Sequence, residues 1–307
     1  MPCVKHKLWN RRETIAAAVA MGIIPGSLIA ESVTMLTRPI PASGETLPVI
    51  GLGTWQVFDV AGSAEELALR QSIIQLLVDN GGSLIDSSPM YARAEGVVGE
   101  VLDAGNNRDQ VFLATKVWTD GKEAGESQMR RSADLMKTDM IDLMQVHNRR
   151  DLDVHMGTIR GLQQEQRIRY SGITDYRSSA LDEIENAMRK YKPQFVQINY
   201  SLGERDADKR VLRVAQELGI AVLINRPFVE GRLFRAVTGL EVPDWASDFA
   251  ASWGQFFLKY IVSHPAVNCA IPATSKLHHM MDNLGAGVGD MPDDATRRKM
   301  AAFVDSL

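Results

Sequence analysis

Four side chains in this sequence could handle a proton together. Asp86 ends a short apolar run, Leu84-Ile85, and Ser87, Ser88 and Pro89 then break the strand. Tyr91 falls in the loop that follows, and Ala94-Glu95 opens a helical pattern. Lys116 and His147 end the next two apolar runs, Val111–Lys116 and Ile141–His147. A free tyrosine has a pKa of about 10 and is a poor acid at neutral pH. A lysine cation beside it would stabilise the phenolate and lower that value. Asp86 would keep Lys116 charged and oriented, and His147 would hydrogen-bond a substrate oxygen and help move the proton. Such a group is a tuned general acid facing a carbonyl that is gaining electrons. A plainer alternative is a structural Asp86–Lys116 ion pair beside a hydrogen-bonded His147, since charges ending buried strands are costly unless paired. Tyr91 tips the balance toward chemistry.

For these residues to meet, the strands that carry them must be neighbours. From Thr37 onward the sequence has no low-complexity linker, so one domain is expected over residues 31–307. Arg38-Pro39-Ile40, the Ser43-Gly44 turn and Thr46-Leu47 suggest a short N-terminal β-hairpin. Val49–Trp55 reads as the first buried strand, and seven more alternate with helices to the end of the chain. The strands are Leu84–Asp86, Val111–Lys116, Ile141–His147, Ile168–Ile173, Phe195–Asn199, Ala221–Ile224 and Val267–Ile271. The helices are expected at Ala64–Asn80, Glu95–Asp103, Glu123–Met136, Val154–Gln166, Ala180–Lys190, Lys209–Leu218 and Phe249–Ser263. Leu277–Leu284 and a final helix near Asp294–Phe303 close the chain. This alternation predicts an α/β fold, a single-domain (β/α)8 TIM barrel whose chemistry gathers at the C-terminal strand ends. An open doubly wound sheet would want a glycine-rich fingerprint after its first strand. Gly51-Leu52-Gly53 lacks the third glycine.

Composition narrows the function classes. The formal net charge is −4, which argues against nucleic-acid binding. Only two cysteines occur, Cys3 and Cys269, so a disulfide scaffold or a cysteine-based zinc site is not expected. The first thirty residues differ from the rest. Lys5, Lys7, Arg11 and Arg12 precede an uncharged run from Ile15 to Ala30 that contains Pro25-Gly26. A basic segment followed by a short apolar one reads as a signal peptide rather than a membrane span. Arg11-Arg12 before Glu13-Thr14-Ile15 resembles a twin-arginine export signal. Residues 1–30 are thus expected to engage export machinery and take the chain to the periplasm, without stable membrane insertion of the mature part. The alternative is a basic N-terminus on a cytoplasmic protein, and Leu28 is a poor fit to a cleavage site after Ala30.

The ordered set Asp86, Tyr91, Thr115-Lys116 and His147 resembles the aldo-keto reductases, whose pattern is an Asp-(x4)-Tyr segment, a strand-ending Thr-Lys and a strand-ending His. Further pieces are similar to that family. They are Gly51-Leu52-Gly53-Thr54-Trp55, Gly172-Ile173-Thr174-Asp175-Tyr176, Gln197-Ile198-Asn199-Tyr200, and Ala270 to Lys276 with Asp282-Asn283. The resemblance covers roughly residues 37–290 and implies reduction of aldehydes or ketones with NADPH, NADH being the other option. By the same analogy Thr174, Asp175 and Gln197 would hold the nicotinamide carboxamide. Thr274, Ser275, Lys276 and Asn283 would contact the adenosine end and its phosphates, where a helix N-terminus suits an anion. Thr54, Asn225, Arg226 and His279 complete the implied cofactor contacts. Trp55, Phe58, Trp118, Asn148 and Phe228 would line a pocket for a small carbonyl substrate. Three positions depart from the pattern. Asp175 stands where the family has Asn, Asn225 where it has a stacking aromatic, and His279 where it has an arginine for the 2′-phosphate.

Other residues are read conservatively. Adjacent His278 and His279 point apart on a helix, so no metal site is expected. Met129, Met136, Met140 and Met144 read as core filling, and Cys269 as an inert buried residue. Two other functions compete with the reductase. One is an exported nucleotide-binding sensor or partner protein on the same fold with little turnover, motivated by the expected export signal together with the three departures. The other is a metal-dependent barrel hydrolase, for which ligand spacing is missing.

Overall fold

A computed structural model describes residues 34–307. The expected signal segment, 1–30, lies outside the described residues. Eight parallel strands form one sheet, each beside its sequence neighbour: β3 (Leu52–Gly53), β4 (Leu84–Asp86), β5 (Phe112–Val117), β6 (Ile141–His147), β7 (Ile168–Thr174), β8 (Phe195–Asn199), β9 (Ala221–Asn225) and β10 (Cys269–Ala270). Ahead of them an antiparallel pair, β1 (Thr37–Pro39) and β2 (Thr46–Pro48), makes the hairpin. The sheet curls until its edges meet. Ile50 bridges Ala270 and Gly53 bridges Ala273, with Gly53 N–H donating to the Pro272 carbonyl at 3.1 Å. The fold is the expected α/β barrel of the (β/α)8 type.

Alternation along the strands explains both the core and the site. Leu84, Phe112, Ala114, Leu143, Tyr170, Phe195, Ala221, Leu223, Cys269 and Ile271 pack together inside, and Ile40 and Leu47 of the hairpin join them. Two residues further along the same strands, or four on β7 where Gly172 intervenes, the interior face changes character: Asp86, Lys116, Gln145, Thr174 and Gln197 are all buried. A period of two places those polar groups directly above the apolar layer. The opposite faces, such as Ile85, Leu113, Val146, Ile173 and Val196, pack against the helices.

Most expected elements lie within a few residues of their observed bounds, and the exceptions have local causes. The first strand is regular only over Leu52–Gly53 because it pairs with β4 on one side and meets β10 only through bridges on the other. The helix expected from Phe249 starts at Trp253, since Ser252 accepts the Gln255 N–H at 3.0 Å and fixes the start there. The helix expected over Lys209–Leu218 is split at Arg210, whose φ of −153° separates Asp206–Lys209 from Val211–Glu217. Met129, Met136 and Met144 are buried, but Met140 is exposed in the turn before β6. Among the described residues no helix is long and apolar enough to cross a membrane.

Candidate active site

The polar layer converges on Asp86. Its Oδ2 accepts a hydrogen bond from Lys116 Nζ at 2.6 Å, and its Oδ1 accepts from Gln145 Nε2 at 3.0 Å and Gln197 Nε2 at 2.9 Å. Lys116 is fully buried and also donates to the Ser87 carbonyl at 2.6 Å. Burial alone would pull the Lys116 ammonium down, but Asp86 and Tyr91 outweigh it and raise its pKa above the ordinary lysine value. Lys116 is therefore held charged, pointing at the loop that carries Tyr91.

That loop is a tight turn. Tyr91 N–H donates to the Ser88 carbonyl at 2.9 Å, and Ala94 N–H to the Tyr91 carbonyl at 3.0 Å. The turn sets the Tyr91 ring with its centre 5.0 Å from Lys116 Nζ and 6.2 Å from the His147 ring, edge to face. The structure corrects one expectation here. Burial pushes the Tyr91 phenol up, and the opposing pull of Lys116 does not reverse it. The phenol thus keeps its proton at neutral pH, and the cation acts on the phenolate that forms when the proton leaves.

His147 is pushed down to about 3, first by burial and then by Lys116, so it is neutral at physiological pH. Its Nδ1 lies 3.1 Å from Ser88 Oγ. When Ser88 donates to Nδ1, Nε2 carries the ring proton and is free to donate to a ligand oxygen. A neutral His147 suits hydrogen bonding better than moving a proton.

Above these groups lies a cleft of about 520 Å³, lined among others by Thr54, Trp55, Asp86, Tyr91, His147, Asn148, Gln197, Asn225, Arg226 and Phe228. Two expected pocket residues are not brought to it. Phe58 is fully buried in the core outside the barrel. Trp118 lies under the Arg150 guanidinium, 4.5 Å from its ring centre, and its backbone N–H is tied to Gln128 Oε1 at 2.6 Å. Thr54 supports the site from below, donating to the Asp86 carbonyl at 3.0 Å and lying 3.0 Å from Ser87 Oγ.

The residue profile of the Aldo/keto reductase family matches residues 49–298. The chain belongs to the aldo/keto reductase family. Its relatives include an uncharacterized oxidoreductase, YqkF, of Bacillus subtilis (strain 168), 25% identical over 292 residues, covering 82% of this chain and 91% of that protein. The glyoxal reductase of the same organism is 24% identical over 246 residues, covering 78% of this chain and 83% of that one. Among solved structures, an aldo/keto reductase from Klebsiella pneumoniae in complex with NADP and acetate superposes with a TM-score of 0.74 at 25% identity, covering 85% of this chain and 93% of that one.

Within this family member the three departures have physical settings. Asp175 is buried, and its carboxylate is turned onto Arg177 Nη2 at 2.8 Å and Arg149 Nη2 at 3.4 Å. Burial pushes that carboxyl up, but the arginines outweigh it and hold the group below the usual carboxylate range. Thr174 beside it bonds Gln197 Oε1 at 3.2 Å, and neither Thr174 nor Asp175 lines the cleft. Asn225 reaches Gln197 Oε1 at 3.4 Å and leaves its own Oδ1 buried without a partner. Thr274, Ser275 and Lys276 lead into the helix Leu277–Gly285, which carries His279 and the buried Asn283. No side chain caps that helix at Lys276. Burial, then His278 and Lys276, hold His279 below the ordinary histidine value, so it carries no charge at neutral pH. The rings of His278 and His279, expected to diverge, touch at 4.3 Å between centres.

Sequence reading passed over Gln145 and Ser88. Gln145 lies two residues before His147 on β6, so the period of two alone puts both on the interior face. Gly172 leaves room for it, since a Cβ there would fall 2.8 Å from Gln145 Cγ. Ser88 carried no such signal, because its role depends on a turn that brings it across to His147.

Proposed function

We propose that this chain reduces aldehydes or ketones to alcohols with NADPH, and that Tyr91 donates the proton. The observation that carries the reading is Lys116, held charged by Asp86 and Ser87 with its ammonium 5.0 Å from the centre of the Tyr91 ring at the floor of the cleft. The residues fit a dinucleotide. An uncapped helix start with Lys276 beside it suits phosphates, and Asn148 and Asn225 beside the tetrad each hold a buried amide oxygen without a partner. Gln197, Asn225 and Arg226 line the cleft from below and one side, whereas Thr174 and Asp175 act through Gln197 and the arginines. NADPH, when bound, supplies the hydride.

The chain's own groups do the rest. Neutral His147 donates from Nε2 to the carbonyl oxygen of the substrate and orients it toward Tyr91. The Tyr91 hydroxyl gives its proton to that oxygen as charge develops there, and Lys116 stabilises the phenolate left behind. Asp86, braced by Gln145 and Gln197, keeps Lys116 in place. Trp55, Asn148 and Phe228 shape the wall around the substrate.

NADPH consumption with a panel of aldehydes tests this reading. Tyr91→Phe should lower kcat by about 100-fold or more, the usual scale of a lost general acid, while NADPH still binds by fluorescence titration. Full turnover by that variant would remove Tyr91 from the mechanism. Nucleotide binding without sustained turnover in the unaltered protein would favour the sensor function instead. Arg11-Arg12 supports a further proposal, export to the periplasm through the twin-arginine route. Cell fractionation checks it: combining Arg11→Lys with Arg12→Lys should keep the full-length chain in the cytoplasm, and equal export of both forms would end the idea.

A further inference from the structure

Tyr91 and Lys116 meet inside the barrel, but the elements that carry them are fastened together outside it. Tyr91 sits in the loop between β4 and the helix Ala94–Gly105, and Lys116 sits on β5. Neighbouring residues on a strand point to opposite faces, so Thr115 turns outward where Lys116 turns inward. Thr115 Oγ1 donates to Glu95 Oε1, in the first turn of that helix. One hydrogen bond thus ties the position before Lys116 to the helix that follows Tyr91. Neither Thr115 nor Glu95 lines the cleft.

Packing alone gives no reason for a carboxyl at this place. Glu95 is 2% exposed, and its neighbours Ala94, Val97 and Val98 are buried apolar residues. Among the described residues no lysine or arginine forms an ion pair with it, and a carboxylate buried without a cation is costly. Burial pushes the group up from its ordinary value, and Thr115, Ser132, Lys116 and Arg131, which pull the other way, do not reverse it. What the side chain supplies is an acceptor long enough to reach β5.

The helix is fixed a second time further along. Its backbone lies against the end of the helix Lys122–Leu135 at Gly99, where a Cβ would fall 2.0 Å from the Leu135 carbonyl oxygen. With Gly99 seated there and Glu95 held on Thr115, the start of the helix cannot slide or turn along β5. That start carries the loop. Ala94 N–H donates to the Tyr91 carbonyl at 3.0 Å, and no side chain caps the helix at Arg93. The 5.0 Å between Lys116 Nζ and the Tyr91 ring centre therefore depends on the Glu95–Thr115 bond as well as on the two groups themselves.

We propose that Glu95 is a positioning residue for the proton transfer, acting through its hydrogen bond to Thr115, which sets the spacing between Tyr91 and Lys116. The inference rests on the reductase reading. Its test measures aldehyde reduction by the full chain at saturating NADPH, NADPH affinity by fluorescence titration without substrate, and thermal unfolding. Replacing both partners together, Glu95→Leu with Thr115→Val, removes the bond without leaving either one buried and unpaired. This double variant should stay folded and bind NADPH as before, while kcat falls about tenfold or more, the scale on which a small misplacement of a reacting group acts. The solvent deuterium isotope effect on kcat should rise, because proton donation by Tyr91 slows relative to the other steps. A purely structural role would lower the thermal midpoint and leave both kcat of the folded protein and the isotope effect where they were. Glu95→Gln keeps an acceptor oxygen, and Ser132 Oγ, buried beside it with no hydrogen-bond partner, can meet the new amide N–H. That variant should keep most of kcat.

Unchanged kcat and isotope effect in the folded double variant would overturn the proposal. So would a loss in Glu95→Gln as large as in the double variant, which would assign the effect to the charge and not to the bond. If the double variant does not fold, Thr115→Val alone carries the same comparison of kcat and isotope effect. Absence of any turnover in the unaltered protein, with NADPH still bound, would count against the reductase reading itself, and the proposal would fall with it.

Discussion

At Asp86 one carboxylate receives an ammonium and two amide donors, so both its oxygens are committed and the group has no freedom to turn. Removing any of these partners would leave a buried charge short of a hydrogen bond, a cost that falls on Lys116 as well. The same burial governs His147. Its pKa is about 3 in the folded protein against an ordinary value of 6.5, so the unfolded chain takes up a proton that the folded chain refuses. Its contribution to stability is present above pH 6.5 and is lost as the pH falls through that window toward 3. Urea unfolding at a series of pH values should show a decline of up to about 1.4 kcal/mol per pH unit from this residue. His147→Gln should flatten that part of the curve by one proton, and parallel curves would show that His147 is not buried in its neutral form. For reduction, neither Tyr91 nor His147 changes charge between about pH 5 and 8, so these groups impose no ionisation on kcat there.

Strands position the site through their period of two, and glycines let them approach. Gly53 lies at the seam where β3 meets the segment after β10, and a Cβ there would fall 2.8 Å from the Ile271 carbonyl oxygen. That contact is with backbone, which cannot rotate away. Gly53→Ala should therefore destabilise the fold by about 1–3 kcal/mol, the usual cost of overpacking, and lower the thermal midpoint. The same variant should weaken nucleotide binding, because Gly53 also lines the cleft. An unchanged midpoint would mean that the seam opens without cost. The loops behave differently from the strands. The turn from Ser88 to Ala94 is set by its own backbone hydrogen bonds, whereas the long stretch after β9 folds a short helix, Arg232–Ala236, that no periodicity announces.

Across the whole molecule the two ends of the barrel have different work. At the N-terminal end the hairpin is fastened by polar contacts. Tyr170 donates to Glu45 Oε2 at 2.7 Å and lies 2.8 Å from Ser43 Oγ, and Arg169 pairs with Glu45 and with Asp142, the latter at 2.6 Å. That end is closed over an apolar layer, and the cleft opens at the other. If NADPH binds the folded chain there and not the unfolded one, NADPH at about 100 times its Kd should add about 2.7 kcal/mol of stability. Thermal unfolding with and without the nucleotide checks this, and no shift at saturating NADPH would argue against a dinucleotide site. The sequence by itself determined the barrel, because alternating strands and helices with buried apolar runs leave few other ways to cover both faces of a parallel sheet. It also determined which residues end β4 and β6 and carry the ordered pattern of the family, since those are properties of position along the chain. Only the tertiary structure decided that burial outweighs Lys116 at the Tyr91 phenol, that Trp118 turns away under Arg150, and that Ser88 meets His147. Each of these depends on which groups from distant segments come within a few ångströms, and on how much water they exclude, and neither quantity is written in local spacing.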